Sequence, residues 1–185
     1  MPKQKITKEM VVEAAFELAR KESIERITVK DIAEKLNCSV QPIYSYCQSM
    51  DGLRNDIVQR TNIFIQEYMS EYIDKNDFFR STGYAYVQLA KEEPNIFHIF
   101  ILHQRDNIGS LEDLYKFETN PNVAEFIAKD LNISIEKAKQ LHMNMLIYTT
   151  GIGTILATTN PGIPTEEIHK QLENAYQSFL KQATE

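Results

Sequence analysis

Residues 28–48 read TVKDIAEKLNCSVQPIYSYCQ, and this stretch decides the fold that the sequence predicts. Thr28 is a residue type that begins helices, because its hydroxyl can accept a hydrogen bond from an unpaired amide of the first turn. Asn37 stands where the chain must turn, since asparagine tolerates left-handed backbone angles better than most residues. Ser39 is the next cap, and Pro42 follows in the first turn, where a missing amide proton costs little. The stretch therefore predicts two short helices joined by a sharp turn.

The apolar residues of this stretch are spaced so that two crossed helices can pack on the helix that precedes them, which we expect Thr7 to cap. Ala33 is small, which lets the two short helices approach each other. The positions predicted to face the core are Ile32, Leu36, Ile43 and Tyr46. The opposite face of the second short helix carries Val40, Gln41, Tyr44 and Ser45. This is the arrangement of a helix-turn-helix, in which one helix enters the major groove of DNA.

Two runs in this region, ITVKDIAEKL at 27–36 and SVQPIYSY at 39–46, resemble the TetR family of bacterial transcriptional regulators. The resemblance covers about a quarter of the chain, from Thr7 to Leu53. It implies an all-α protein of about nine helices, with a three-helix DNA-binding domain at 1–52 and a helical effector-binding and dimerisation domain at 53–185. The implied function is a repressor that a small-molecule effector releases from its operator, with no enzymatic activity and no cofactor. The implied partners are palindromic double-stranded DNA, an effector and a second copy of the chain.

The predicted DNA contacts lie on and beside the second short helix. Gln41 is the expected base reader, because its amide can form two hydrogen bonds with adenine. Tyr44 resembles the family tyrosine that donates to the DNA backbone, and Tyr46 is either a second such contact or a core residue. The other predicted contacts are Thr28 to a phosphate, and Ser39, Val40 and Ser45 on the same exposed surface. Lys3, Lys5 and Lys8 either add phosphate or minor-groove contacts or are simply solvated. The alternative is that these are three ordinary packed helices.

The sequence departs from the family pattern at three positions. Asn37 stands where the turn usually has glycine, and Cys47 stands where an aromatic residue is usual. Met50 replaces a lysine that often contacts a phosphate in the family. The last difference predicts weaker or differently distributed phosphate binding. Cys38 and Cys47 flank the second short helix, so they are either buried packing thiols or an oxidation-sensitive pair.

Two site predictions concern the larger C-terminal part. A candidate effector pocket combines apolar walls with a few polar groups, as ligand cavities usually do. Its residues are Phe97, His98, Ile101, His103, Tyr115, His142, Met145 and Tyr148. A candidate dimer interface takes apolar and small residues of the last two helices, namely Ile147, Gly151, Thr154, Ile168, Leu172, Tyr176 and Phe179. The alternative in both cases is an ordinary intrachain core.

The charge distribution is compatible with DNA binding by the N-terminal part, and the apolar runs predict neither a signal peptide nor a membrane span. The net charge is −6, but residues 1–60 hold ten basic and nine acidic residues, so the acidity lies in the rest of the chain. The first ten residues contain no apolar signal core, and the most apolar run, 141–157, contains His142 and Asn144. That run is therefore expected to be a buried core helix, and the protein is expected to be cytoplasmic.

Two competing functions are a helical enzyme and a protein-interaction module that uses the helix-turn-helix as a scaffold. An enzyme is disfavoured because the sequence offers no nucleophile paired with a base and no glycine-rich phosphate loop. A metal site is disfavoured because His98 and His103 are five residues apart, off a common helical face, with no clustered cysteines or carboxylates nearby.

Overall fold

The computed structural model describes residues 6–47, 49–101, 105, 107–159 and 161–184. Over these residues the chain is all-helical, with ten α-helices, one short 3-10 turn at Ile24–Arg26 and no β-strand. The helices are α1 (Lys8–Ala19), α2 (Val29–Lys35), α3 (Val40–Tyr46), α4 (Met50–Tyr72), α5 (Phe78–Glu92), α6 (Pro94–Ile101), α7 (Leu111–Glu118), α8 (Pro121–Leu131), α9 (Ile135–Thr159) and α10 (Thr165–Thr184). The predicted all-α class is confirmed, with one helix more than the nine or so expected.

The chain divides into two compact units. The first unit comprises Met1–Glu71 with Glu92–Leu102, and the second comprises Tyr72–Lys91 with His103–Glu185. The boundary expected from the sequence, between 52 and 53, falls in the first turn of α4 and differs from this division. Most of α4 stays with the first unit because its apolar face, beginning at Leu53, is buried in that unit's core.

The first unit forms because three short helices and α4 share one apolar core. The hydroxyl of Thr7 accepts a hydrogen bond from the Met10 amide at 3.3 Å, which fixes the start of α1 as predicted. The turn between α2 and α3 is made by Asn37, whose φ of 50° lies in the left-handed region. The fully buried side chains around this turn include Val11, Ala15, Ile32, Ile43 and Leu53.

The second unit is built around α9, which packs against both α8 and α10. One cluster of buried side chains joins Ile127 of α8, Leu141 and Met145 of α9 and Tyr176 of α10. Another joins α5, α9 and α10 through Val87, Leu156, Ile168 and Leu172. The apolar run 141–157 is thus the middle of a core helix, as predicted. Within the described ranges no helix is both long enough and apolar enough to cross a bilayer.

Candidate nucleic-acid interface and internal polar cluster

The short helix α3 has one buried side and one exposed side. Ile43 is 0% exposed and anchors the helix to the core, whereas Tyr44 is 62% and Val40 is 40% exposed. The six predicted contact residues on or beside α3 are all exposed, namely Ser39, Val40, Gln41, Tyr44, Ser45 and Tyr46. The structure therefore brings the predicted contacts on this helix to the surface of the first unit.

The polar groups on the exposed side of α3 differ in whether they already form hydrogen bonds within the protein. The Ser45 hydroxyl donates to the backbone carbonyl of Gln41 at 3.1 Å. Ser39 occupies the N-cap position of α3, but its side chain makes no capping hydrogen bond. Within the described part of the chain, neither the Gln41 carboxamide nor the Tyr44 hydroxyl has a hydrogen-bond partner. These last two groups can therefore donate to DNA without giving up an internal bond.

Tyr46 has an internal partner that the sequence did not indicate. Its hydroxyl donates to the backbone carbonyl of Ile6 at 2.7 Å, joining the end of α3 to the segment that enters α1. The side chain is 37% exposed, so it is not a core residue. A phenol has a single proton to donate, and that proton is engaged here. Sequence spacing carried no signal for this contact, since its two residues are 40 positions apart.

Thr28 is also engaged within its own helix. Its amide and its hydroxyl both donate to the Asp31 carboxylate, at 2.8 and 2.6 Å, and the hydroxyl accepts from the Asp31 amide at 3.3 Å. These bonds form a reciprocal capping box at the start of α2 and lower the pKa of Asp31. The phosphate contact predicted for Thr28 needs a donor, and both donors are occupied by Asp31.

The three departures from the family pattern each have a structural reason. Asn37 adopts the left-handed conformation for which glycine is usual. Cys47 is 5% exposed and belongs to the core of the first unit, and Met50 packs against the same core. Burial raises the pKa of the Cys47 thiol, so it is protonated at neutral pH. Cys38 also packs against this core, which is the arrangement of packing thiols.

The eight predicted effector residues are divided between the two units. Phe97 and Ile101 are buried in the first unit, where His98 is half-buried. The other described residues of the set belong to the second unit, namely Tyr115, His142, Met145 and Tyr148. His103 lies outside the described residues. Within one unit, the structure therefore brings together only part of the predicted set.

His142 lies in an apolar, aromatic environment in the second unit. Its Nδ1 shares a hydrogen bond of 2.9 Å with the Tyr115 hydroxyl. The rings of Tyr115 and Phe79 meet the imidazole edge-on, with centroids at 5.4 and 5.5 Å. Burial lowers the pKa of His142 to about 4, so the side chain is neutral at physiological pH.

A second pair of polar groups in this unit joins α5 to α9. The hydroxyls of Tyr86 on α5 and Thr150 on α9 are 3.5 Å apart, and burial raises the pKa of Tyr86 to about 12. Arg105 and Glu118 form an ion pair whose charges both act on Tyr86. We use the name polar cluster for three pairs of groups in the second unit: Tyr115–His142, Tyr86–Thr150 and Arg105–Glu118. The sequence indicated Tyr115 and His142 but missed the other two pairs, whose members are 64 and 13 residues apart in the chain.

A recess of the first unit lies away from the predicted effector residues. It is a groove of about 360 Å³ between α1 and α4. Ion pairs join Lys8 to Asp56 and Arg60 to Glu13 along its walls. None of the predicted effector residues lines it. The described ranges also contain no group of three or more side chains suited to hold a metal ion.

Two of the three predicted dimer residues on α9 are exposed, whereas three of the four on α10 are buried. Ile147 is 52% exposed, and a side chain added at Gly151 meets nothing within 4 Å. By contrast Ile168, Leu172 and Tyr176 are at most 7% exposed, because they fill the unit's own core. Phe179 and Thr154 are half-buried. Ile155 is 55% exposed and was missed, although its spacing of four and eight residues from Gly151 and Ile147 was a signal for the same face.

No protein-family model matches the sequence. The uncharacterized HTH-type transcriptional regulator YobS of Bacillus subtilis (strain 168) is 27% identical over 108 residues, which are 57% of this chain and 56% of that protein. The match therefore spans little more than half the length of this relative. A TetR-family transcriptional regulator from Streptomyces coelicolor superposes with a TM-score of 0.69 at 12% identity, covering 95% of this chain and 81% of that one. A TetR-like transcriptional regulator from Rhodococcus sp. RHA1 gives a TM-score of 0.64 at 15% identity, covering 98% of both chains.

These similarities confirm, at the level of the fold, the resemblance that the sequence suggested. The chain has the TetR-like fold, with an N-terminal helix-turn-helix followed by a larger set of helices. All three similar proteins are described as transcriptional regulators.

Proposed function

We propose that this chain, which has the fold of TetR-like regulators, is a DNA-binding transcriptional regulator. The observation that carries the proposal is the exposed face of α3. Gln41 and Tyr44 project from a helix whose other side is held in the core by Ile43. A rigid helix with exposed donors is what insertion into a major groove requires.

Each exposed residue of α3 has a distinct role in this proposal. Gln41 reads a base, because its carboxamide, which has no partner among the described residues, can form two hydrogen bonds with adenine. Tyr44 donates its hydroxyl to a phosphate, which fixes the position of the helix along the duplex. Val40 lies one residue before Gln41 and can contact a thymine methyl group. Base contacts thus supply the specificity, while phosphate contacts supply position and salt dependence.

The direct test selects binding sites from random duplexes and then measures affinity by fluorescence anisotropy. Gln41→Ala is expected to weaken binding about 10- to 100-fold at its cognate base pair and to relax the preference there, as the loss of one bidentate contact does. Gln182→Ala removes the same side chain from an exposed position of α10 and serves as the matched control. A folded chain that selects no sequence, at any salt concentration, contradicts the proposal.

We propose further that the protein binds DNA as a homodimer through the exposed face of α9. Ile147, Gly151 and Ile155 lie on one side of that helix, and the glycine permits close approach of a second copy. A two-fold dimer presents two α3 helices to successive half-sites of a palindromic operator. The buried residues of α10 are left out of this interface, since the core of their own unit already covers them.

The dimer is tested by placing a charge on this face. Ile147→Glu is expected to shift sedimentation from dimer to monomer and to weaken operator binding at least about tenfold, because a charge is buried without a partner. Ile63→Glu makes the same change at an exposed isoleucine of α4, 50% exposed against 52% for Ile147. Equal sedimentation of wild type and Ile147→Glu refutes this interface.

We propose that an effector binds at the polar cluster of the second unit and releases the repressor from its operator. The cluster supports a ligand that is neutral overall, because His142 is uncharged and Arg105 is balanced by Glu118. The aromatic rings around His142 suit a ligand with an aromatic or alicyclic body. Release follows if the ligand has different affinities for the DNA-bound and free conformations.

The effector site is tested with a panel of neutral aromatic compounds and their charged analogues, using thermal shift and operator release. Neutral compounds are expected to raise the melting temperature and weaken operator binding together. Tyr86→Phe removes one hydroxyl of the cluster and is expected to weaken that response, whereas Tyr72→Phe on α4 leaves it unchanged. Release by charged analogues alone contradicts the proposed ligand class.

A further inference from the structure

We infer that the groove between α1 and α4 is a second small-molecule site, which takes an organic cation with an apolar body. Its volume of about 360 Å³ lies within the range of small-ligand sites. The residues that line it are Lys8, Glu9, Val12 and Glu13 of α1, and Asp56, Gln59, Arg60 and Ile63 of α4. None of the predicted contacts on α3 and none of the predicted effector residues is among them.

Two ion pairs cross the groove and limit its length. Lys8 Nζ lies 2.9 Å from Asp56 Oδ2, and Arg60 Nε lies 2.8 Å from Glu13 Oε2. Along either helix the two pairs are only four or five residues apart, which is a rise of about 6–8 Å. An α-helix with its side chains is about 10 Å wide, so a partner helix does not fit between the pairs. A molecule of one or two rings does.

The groove carries one carboxylate more than it has cations. Lys8 and Arg60 are each engaged by a carboxylate across the groove, and Arg60 also lies over the Phe16 ring, 4.5 Å from its centroid. Glu9 is exposed and forms no ion pair with any described residue. Hydrogen bonds with its own amide and with the Thr7 hydroxyl lower the pKa of Glu9, so it is ionised at neutral pH. The charge left for a ligand is therefore negative, which favours a cation.

The same charges make the groove unsuited to a phosphate. A phosphate needs a free donor, and the Lys8 ammonium already donates to the Asp56 carboxylate at 3.0 Å. The other lysines considered for phosphate contacts, Lys3 and Lys5, lie outside the described residues. The groove therefore adds a ligand site to the first unit and no further DNA contact.

The apolar lining determines the body of the ligand. Ile63 is 50% exposed on α4, and Val12 is half-buried on α1. Rings placed over these two side chains remove apolar surface from water, which stabilises the complex. The Gln59 carboxamide, one turn before Ile63, is exposed and can pair with a polar group of the ligand. A metal ion gains nothing from such apolar contacts, which is why the inference is an organic cation.

The test titrates the full chain with three probes of one body and different charge, and follows the methyl NMR signals of Val12 and Ile63. The probes are 2-(1-naphthyl)ethylammonium, 2-(1-naphthyl)ethanol and 3-(1-naphthyl)propanoate. The cation is expected to shift both signals saturably, with a dissociation constant on the order of 1 mM, as for a ligand of about 13 non-hydrogen atoms. The anion is expected to bind at least about fivefold more weakly, because Glu9 repels it. The methyl group of Ile135, 45% exposed on α9, reports non-specific contact.

Substitutions separate the charge from the apolar surface. Glu9→Gln is expected to weaken binding of the cation about two- to fivefold, the range of an exposed ion pair, and to leave binding of the alcohol unchanged. Ile63→Ala is expected to weaken both to the same extent. Glu136→Gln is the matched control, because Glu136 is also the second residue of an α-helix and its pKa is lowered by the same two kinds of hydrogen bond. It is expected to leave binding of the cation unchanged.

Several outcomes would overturn the inference. Equal binding of all three probes means that the groove offers apolar surface alone and refutes the ligand class. Shifts at Ile135 as large as those at Ile63, equal effects of Glu9→Gln and Glu136→Gln, or the absence of a saturable shift refute the site. The amide NMR spectrum of each variant checks that it is folded. Tyr86→Phe is expected to leave the titration with the cation unchanged, which separates this site from the polar cluster, and DNA binding is tested separately by the selection of duplexes.

Discussion

The two units of the molecule place their candidate functional groups in opposite ways. The first unit displays them on α3, a helix of seven residues whose exposed side carries Gln41 and Tyr44. The second unit keeps its polar groups inside, where His142 is neutral and Tyr86 has its pKa raised by burial. A large partner such as DNA can contact groups that are exposed on the surface. Groups buried in a core can be contacted only by a ligand small enough to enter it.

Because one site is exposed and the other is internal, substitutions in the two units are expected to differ in their effects on binding and on stability. On α3 a side chain can be removed from the exposed face without leaving a cavity in the core. A substitution there is therefore expected to change DNA affinity without changing the free energy of unfolding. In the polar cluster the groups are buried or half-buried, so substitutions there are expected to change binding and stability together. The following predictions test this contrast between an outward-facing and an inward-facing site, in order of decreasing effect.

The largest effect is expected where α3 meets its core. Ile43→Ala removes a fully buried side chain and leaves a cavity, which is expected to lower the free energy of unfolding by about 2–5 kcal/mol. Val40→Ala, on the exposed side of the same helix, is expected to change it by less than about 0.5 kcal/mol. Urea denaturation followed by circular dichroism measures both. Equal losses would mean that α3 has no separate inner and outer faces.

The next effect is a pH dependence centred on the second unit. The folded pKa of His142, about 4, lies below its ordinary value of 6.5, so the unfolded chain takes up the proton first as pH falls. Stability present above pH 6.5 is therefore lost as pH falls toward 4, by about 3 kcal/mol in all. Denaturation midpoints between pH 4.5 and 7.5 measure it.

His142→Asn is expected to flatten the stability curve in this window, because the buried group no longer titrates. Tyr115→Phe removes the hydrogen bond to His142 but leaves the imidazole buried, and burial is the cause of the lowered pKa. It is therefore expected to keep the slope. A slope unchanged by His142→Asn would show that other groups carry the pH dependence.

The smallest effect is expected at the start of α2. Thr28→Ala removes one half of the capping box with Asp31 and is expected to cost about 0.5–2 kcal/mol of stability. Thr28→Ser keeps the hydroxyl and is expected to restore most of it. Operator affinity of the folded protein is expected to change less than about twofold, since both donors of Thr28 are already engaged. A large affinity loss at unchanged stability would favour the phosphate contact predicted from the sequence.

Local patterns predicted the helix-turn-helix because its determinants lie close together in the chain. The caps at Thr7 and Thr28 and the turn at Asn37 all depend on neighbours within a few residues. The hydrogen bond from the Tyr46 hydroxyl could not be predicted from the sequence, because its partner, the Ile6 carbonyl, is 40 residues away. The sequence predicts Ile168, Leu172, Tyr176 and Phe179 as interface residues because an apolar face does not reveal whether its own chain or another covers it.

The sequence by itself determined the all-α class, the position of the turn and the outward face of α3, because helix caps and periodicity act over one or two turns. Only the tertiary structure decided that 92–102 joins the first unit, that the hydroxyls of Thr28 and Tyr46 donate to groups of their own chain, and that α9 rather than α10 keeps an exposed apolar face. Those outcomes depend on which distant segments meet, and no short-range pattern encodes that choice.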